Sequence, residues 1–133
     1  MKKIIILIPV YNDWESLIKL LQEINENIKD IKNISIECFI VNDASTFEQP
    51  KIYKPNNIKT IKILNMTKNK GHARCNAFGI RYINENASFD NLILMDGDGE
   101  DRPTELKLLI EQIIKDPTKS VVAKRIKRSE GHF

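Results

Sequence analysis

The sequence predicts an α/β fold, a three-layer α/β/α sandwich with a mostly parallel central sheet. Three observations predict it. Ile4 to Val10 and Leu92 to Met95 are apolar without interruption, the pattern of strands covered on both faces. Between strands, apolar residues recur at helical spacing, most clearly Leu17, Leu20, Leu21, Ile24 and Ile28. Strand and helix patterns alternate along the chain, with crossovers long enough for parallel pairing. At 133 residues and 41% hydrophobic content the chain has one domain's length and enough apolar side chains for a core, so a single domain over 1–133 is expected.

Each element follows in order. Ile4 to Val10 is the first strand. Asn12 or Asp13 caps the first helix, whose stripe runs from Leu17 to Ile28. Ile34 to Val41 is a second strand, followed by the turn-rich "NDASTFEQPKIYKPNN". Ile58 to Leu64, "IKTIKIL", alternates apolar and charged residues and reads as a third strand near a sheet edge. His72 to Asn86 is a second helix, with Ala73, Ala77, Ile80 and Ile83 as its apolar positions. Gly79 within it costs about 1 kcal/mol against alanine, which predicts close packing there. Leu92 to Met95 is the fourth strand. Pro103 opens a third helix with Leu106, Leu109, Ile110 and Ile113 inward, and Asp116-Pro117 closes it. A fifth strand starts within Val121 to Ile126.

The net charge of +3 is mild, and no nucleic-acid partner is expected. Lys124, Arg125, Lys127 and Arg128 form a basic cluster, read either as a solvated tail or as contact with an anionic partner. Cys38 and Cys75 sit in periodic apolar segments without zinc-type spacing, as buried thiols suited to a reducing compartment. "MKKIIILIPV" has the lysines and apolar run of a signal peptide. The run is too short and lacks a small-residue cleavage site, so it reads as the buried first strand. No apolar segment approaches the roughly 20 residues that a membrane helix needs.

In an open parallel sheet, ligands bind beyond the carboxyl ends of the strands. The four exits here are "PVYND", "NDAST", "NMTKNKGHARCN" and "DGDGEDRP". The last gathers Asp96, Asp98, Glu100 and Asp101 at the end of a buried strand, where folding alone gives like charges no reason to meet. Asp96 and Asp98, separated by Gly97, suit a hard cation that keeps water and phosphate ligands. The bland alternative is a solvated acidic loop. Pro103 comes too early for a twelve-residue calcium loop. Asp43 can accept hydrogen bonds from a base or ribose, or cap its own loop. Tyr11 can lay its ring on a base, or close the core at the rim. Lys70, His72 and Arg74 surround a glycine at a helix start, a place that attracts anions. His72 reads as a cap or a phosphate neighbour. No GxGxxG follows the first strand and no GxxxxGK[ST] occurs, which disfavours the usual dinucleotide fold and a P-loop.

In register, "IPVYND", "VNDAST", "NKGHARCNAFGI" and "ILMDGDGEDRP" resemble the family 2 glycosyltransferases of the GT-A fold, specifically the nucleotide-binding half of that Rossmann-like fold. The closest likeness is to the polyprenyl-phosphate (dolichol-phosphate-mannose-synthase-like) branch, and it extends from Lys3 to about Arg128. The resemblance implies a UDP- or GDP-linked sugar donor and Mn2+ or Mg2+ held by the DxD motif. By position, Pro9 and Tyr11 would border the base, and Asp43 would bind base or ribose. Asp96 would contact ribose or the metal's water shell, and Asp98 would ligate the metal on the diphosphate. Lys70 and Arg74 would lie along the donor, and Arg125 near phosphate or acceptor. The implied acceptor is a glycan of the cell envelope or a polyprenyl phosphate, with inversion at the sugar. The implied location is the cytoplasm, at the cytoplasmic face of the membrane. Family members run longer, so the acceptor half and the catalytic base are expected beyond Phe133.

Two other classes compete. A non-catalytic nucleotide-sugar-binding module would bind nucleotide with metal but transfer nothing. A receiver-type signalling domain would phosphorylate Asp96, yet its first strand should exit through acids, and this one exits through "PVYN".

Overall fold

The computed structural model describes residues 1–96, 103–116 and 123–126, with side chains at all of these except 103 and 123–126. Five strands and three helices alternate: β1 (Lys2–Val10), α1 (Trp14–Ile28), β2 (Ile34–Asn42), β3 (Thr60–Asn65), α2 (His72–Asn86), β4 (Asn91–Met95), α3 (Pro103–Lys115) and β5 (Ala123–Ile126). The sheet order is β3-β2-β1-β4-β5, and every pairing is parallel. The expected three layers are present.

β1 is central and explains its own composition. Ile4, Ile6, Ile8 and Val10 face one core with Leu17, Leu21 and Ile24 of α1 and Leu106 and Ile110 of α3. Ile5 and Leu7 face a second core with Cys75 and Ile83 of α2 and Leu92 of β4. A strand buried on both sides has no position left for a polar residue. Asp13 caps α1, its carboxylate accepting the Ser16 N–H at 3.3 Å. Pro103 is the first residue of α3, as its missing N–H suits.

The start of β3 and the buried face of α2 differ from expectation. β3 begins at Thr60, and Ile58 is instead a fully buried plug in the loop before it. The Pro55 carbonyl accepts the Ile58 N–H, and the Ile58 carbonyl accepts from the Lys54 ammonium. β5 is described from Ala123, with 121 and 122 outside the described residues. On α2, Ala73 and Ala77 are exposed, and the buried line is Cys75, Asn76, Gly79 and Ile83. Gly79 sets that orientation. A Cβ there would lie 2.6 and 2.9 Å from the Leu7 methyls and 3.2 Å from Val41, so only glycine lets α2 sit this close to β1 and β2.

Candidate functional site

The order 3-2-1-4-5 reverses direction between β1 and β4, and open α/β sheets bind ligands at that point, beyond the carboxyl ends. The register shows the opening. β1 pairs with β4 only from Ile4↔Asn91 to Leu7↔Leu94, whereas it pairs with β2 through Val10↔Asn42. The two strands part as β1 reaches Pro9, which is buried and has no N–H to extend a ladder. Tyr11 leaves β1 with 41% of its surface exposed. Asp96 leaves β4 on the other side of the gap, partly buried.

The exits of β1, β2 and β3 are tied together by polar side chains. Asn12 adopts φ 64, a left-handed angle that asparagine tolerates better than most residues. Its carboxamide oxygen accepts the Thr46 and Phe47 N–H groups, each at 2.8 Å, and its own N–H donates to the Ser45 hydroxyl. Asn42 accepts the Ser45 N–H and donates to Asn65 across the sheet.

Asp43 is the central tie. Its carboxylate accepts the Lys70 N–H at 2.7 Å and the Gly71 N–H at 2.8 Å, and the residue is 1% exposed. Its carbonyl accepts from Asn69. Gly71, at φ 89, begins α2 with no side-chain cap, so the charge of Asp43 serves the turn that leads into the helix. Burial, then a hydrogen bond to Asp43 and its charge, push the Cys75 thiol up to about 12. Burial, with the charge of Glu37, does the same for Cys38. Both thiols are therefore protonated at neutral pH and are poor nucleophiles or metal ligands.

The expected residues divide between places. Pro9, Tyr11, Asp43 and Asp96 share the rim. Two strand spacings separate the ends of β2 and β4, about 10 Å, so Asp43 and Asp96 can touch one extended ligand but not one ion. Lys70 and Arg74 line an open cavity of about 250 Å³ beside the end of β3, with Met66, Ala77, Phe78 and Arg81. Among the described residues none of those three cations is in an ion pair. Arg125 lies in β5 opposite Leu94, and its side chain is outside the described residues. Asp98, Glu100 and Asp101 also lie outside them.

Sequence reasoning missed Asn12 as a clamp and Asn76 as a buried rim residue. The left-handed tolerance of asparagine in "YND" was a signal for the first. A polar residue beside Cys75 in an apolar helix line was a signal for the second.

Among the described residues no three His, Cys, Asp or Glu side chains gather to hold an ion. Among the same residues no helix is long and apolar enough to cross a membrane. No curated protein matches the chain. The model of the family described as "Glycosyl transferase family 2" matches residues 5–133, from within β1 through β5. With its α/β sandwich open at the β1/β4 switch point, the chain belongs to glycosyl transferase family 2, glycosyltransferases that take a nucleotide-sugar donor and an acceptor.

Proposed function

We propose that this glycosyltransferase uses a UDP- or GDP-linked sugar with Mn2+ or Mg2+ bound through Asp96 and Asp98. It delivers the sugar, with inversion, to a cell-envelope glycan or a polyprenyl phosphate, as in the polyprenyl-phosphate branch of the family. The observation that supports this most is the alignment of Tyr11, Asp43 and Asp96 along one rim at the sheet's switch point. Its place is the cytoplasm, at the cytoplasmic face of the membrane.

Tyr11 offers an exposed ring face to the base, beside Pro9. Asp43 holds the start of α2 in place, and its remaining lone pairs accept from base or ribose. Lys70 and Arg74 supply positive charge on the β3 side, and Arg125 on the β5 side. Asp96 emerges where ribose and diphosphate would meet. When bound, the metal neutralises charge on the departing diphosphate. The acceptor oxygen attacks the anomeric carbon, and the bond to the diphosphate breaks with its electron pair leaving on the diphosphate. A hydroxyl acceptor gives its proton to a base; a phosphate acceptor needs none.

Calorimetric titration with UDP-sugars and GDP-sugars, with and without manganese, tests this. Metal-dependent binding is expected. Asp98→Ala abolishes it, and Glu100→Ala only weakens it. A folded chain that binds neither donor under either condition refutes the proposal, and equal loss from both variants refutes the division of the acids.

A further inference from the structure

Asn76 is 6% exposed, and its carboxamide oxygen is buried with no hydrogen-bond partner among the described residues. A buried acceptor left unmade is costly, so it calls for an explanation. The phase of α2 shows where this one sits. Gly79 packs directly on Leu7 and Val41, so it marks the line of contact with β1 and β2. At 3.6 residues per turn, Cys75 and Tyr82 fall about 40–60° to one side of that line and Asn76, Ile80 and Ile83 about 40–100° to the other. The first side is the β2 side, because the Tyr82 ring lies 6.3 Å from that of Phe39 in β2. The second side is therefore the β4 side, where Ile80 and Ile83 share a core with Leu92 and Leu94.

Height follows in the same way. Asp43, the first residue past β2, accepts the Lys70 and Gly71 N–H groups just before α2, so Asn76 in the first turns of α2 is close to the level of the strand ends. Leu92 and Leu94 face α2, and Asp96 is the first residue past the end of β4. Asn76 thus stands over the mouth of the β1/β4 gap, on the side of Asp96.

We propose that Asn76 is a donor-recognition residue whose carboxamide oxygen accepts a hydrogen bond from a hydroxyl of the bound nucleotide sugar. This rests on the donor site proposed above. An unpaired acceptor selects a ligand group that carries a proton. An ionised diphosphate has none; the ribose and the transferred sugar carry hydroxyls, while a base N–H, shared by every ligand of one base, would give equal loss with all of them. The unpaired state without ligand is then the cost of a site that reads its substrate: the hydroxyl fills a vacancy, and a ligand lacking it leaves the oxygen orphaned.

The test is isothermal titration of wild type, Asn76→Ala and Asn76→Ser with UDP, GDP, their 2′-deoxy and 3′-deoxy forms, and the matching nucleotide sugars. Melting curves accompany each protein. If the ribose supplies the hydroxyl, Asn76→Ala binds the ribonucleotide about tenfold more weakly, binds one deoxy form unchanged, and melts no lower than wild type. If the sugar supplies it, the loss appears only with the nucleotide sugar, which also supports the proposal. Equal loss for every ligand, or no loss, overturns it. So does a loss seen only with manganese, which would make the carboxamide an ion ligand, and so does a large drop in melting temperature in both variants. A folded wild type that binds no nucleotide at all overturns the donor site itself.

Discussion

Asp43→Asn tests the tie that holds the β2 exit to α2. The substitution keeps shape and removes charge. In the native chain the two carboxylate oxygens accept the Lys70 and Gly71 N–H groups at 2.7 and 2.8 Å. Asparagine keeps one acceptor and turns the other position into an N–H, which then faces an N–H. A hydrogen bond to a charged group contributes about 1.5–3 kcal/mol, and the surviving bond drops to the neutral value of about 1 kcal/mol. The expected loss is about 2–5 kcal/mol. Unfolding entropy of about 2.1 cal/mol/K per residue over 133 residues makes a loss of about 3 kcal/mol a fall of roughly 11 °C in Tm. Urea unfolding without nucleotide, followed by far-UV circular dichroism, measures it. Cys75 gives an independent readout. Asp43 contributes to its raised pKa, so the variant's thiol titrates at lower pH and labels faster near pH 9. In the native chain both thiols hold their protons up to about 12. The unfolded chain releases its own near the usual value of about 8.5, so stability falls as pH rises from there to about 12. A variant within about 0.5 kcal/mol of wild type, the scatter of neutral surface changes, refutes the anchoring role.

Two other substitutions probe packing and the loop clamp. Gly79→Ala gains about 1 kcal/mol of helix propensity but forces Leu7, itself 0% exposed, out of its place. Overpacking costs about 1–3 kcal/mol, so net destabilisation in urea is expected, and a stabilised variant would refute the close approach of α2. Asn12→Ala loses two accepted backbone bonds and strains a left-handed residue, whereas Asn12→Gly loses only the bonds. The glycine variant should be the more stable of the two by about 1 kcal/mol. Equal stabilities would show that φ 64 carries no strain.

The parts of the fold legible in the sequence were those buried on two faces. β1 and β4 could be read because every position meets a core, so apolar character runs unbroken. The α1 stripe could be read because leucine and isoleucine carry it. The α2 stripe was misplaced because its line of contact is Cys75, Gly79 and Ile83, and two of these carry little hydrophobic weight. Alanine is at home on either face, so Ala73 and Ala77 gave no direction. Ile58 joined β3 on paper because strand alternation does not distinguish a paired residue from a buried plug beside it. The acids and the polar strand exits were legible as positions, and the family followed from their order. Their partners were not. Asp43 bonds residues 27 and 28 positions away, and no local period encodes such a distance.

The rim can be divided by asking which polar groups the fold already uses. Asn12, Asn42, Ser45 and Asp43 spend their hydrogen bonds on one another's loops, fixing the exits of β1, β2 and β3 as a unit. This rigidity is what a binding site requires, because a ligand then meets groups whose positions are settled in advance. What the fold does not use, among the described residues, is a shorter set: the exposed ring of Tyr11, the remaining lone pairs of Asp43, the Lys70 ammonium, the Arg74 and Arg81 guanidinium groups of α2, and the carboxamide oxygen of Asn76. These supply a flat apolar face, positive charge and a few acceptors. A nucleotide sugar presents the complements: a base to stack, a diphosphate to neutralise and hydroxyls to donate. The chemistry left over after folding thus matches a donor substrate better than it matches any single ion or peptide, and Asn76 is the member of that set that a ligand hydroxyl would complete.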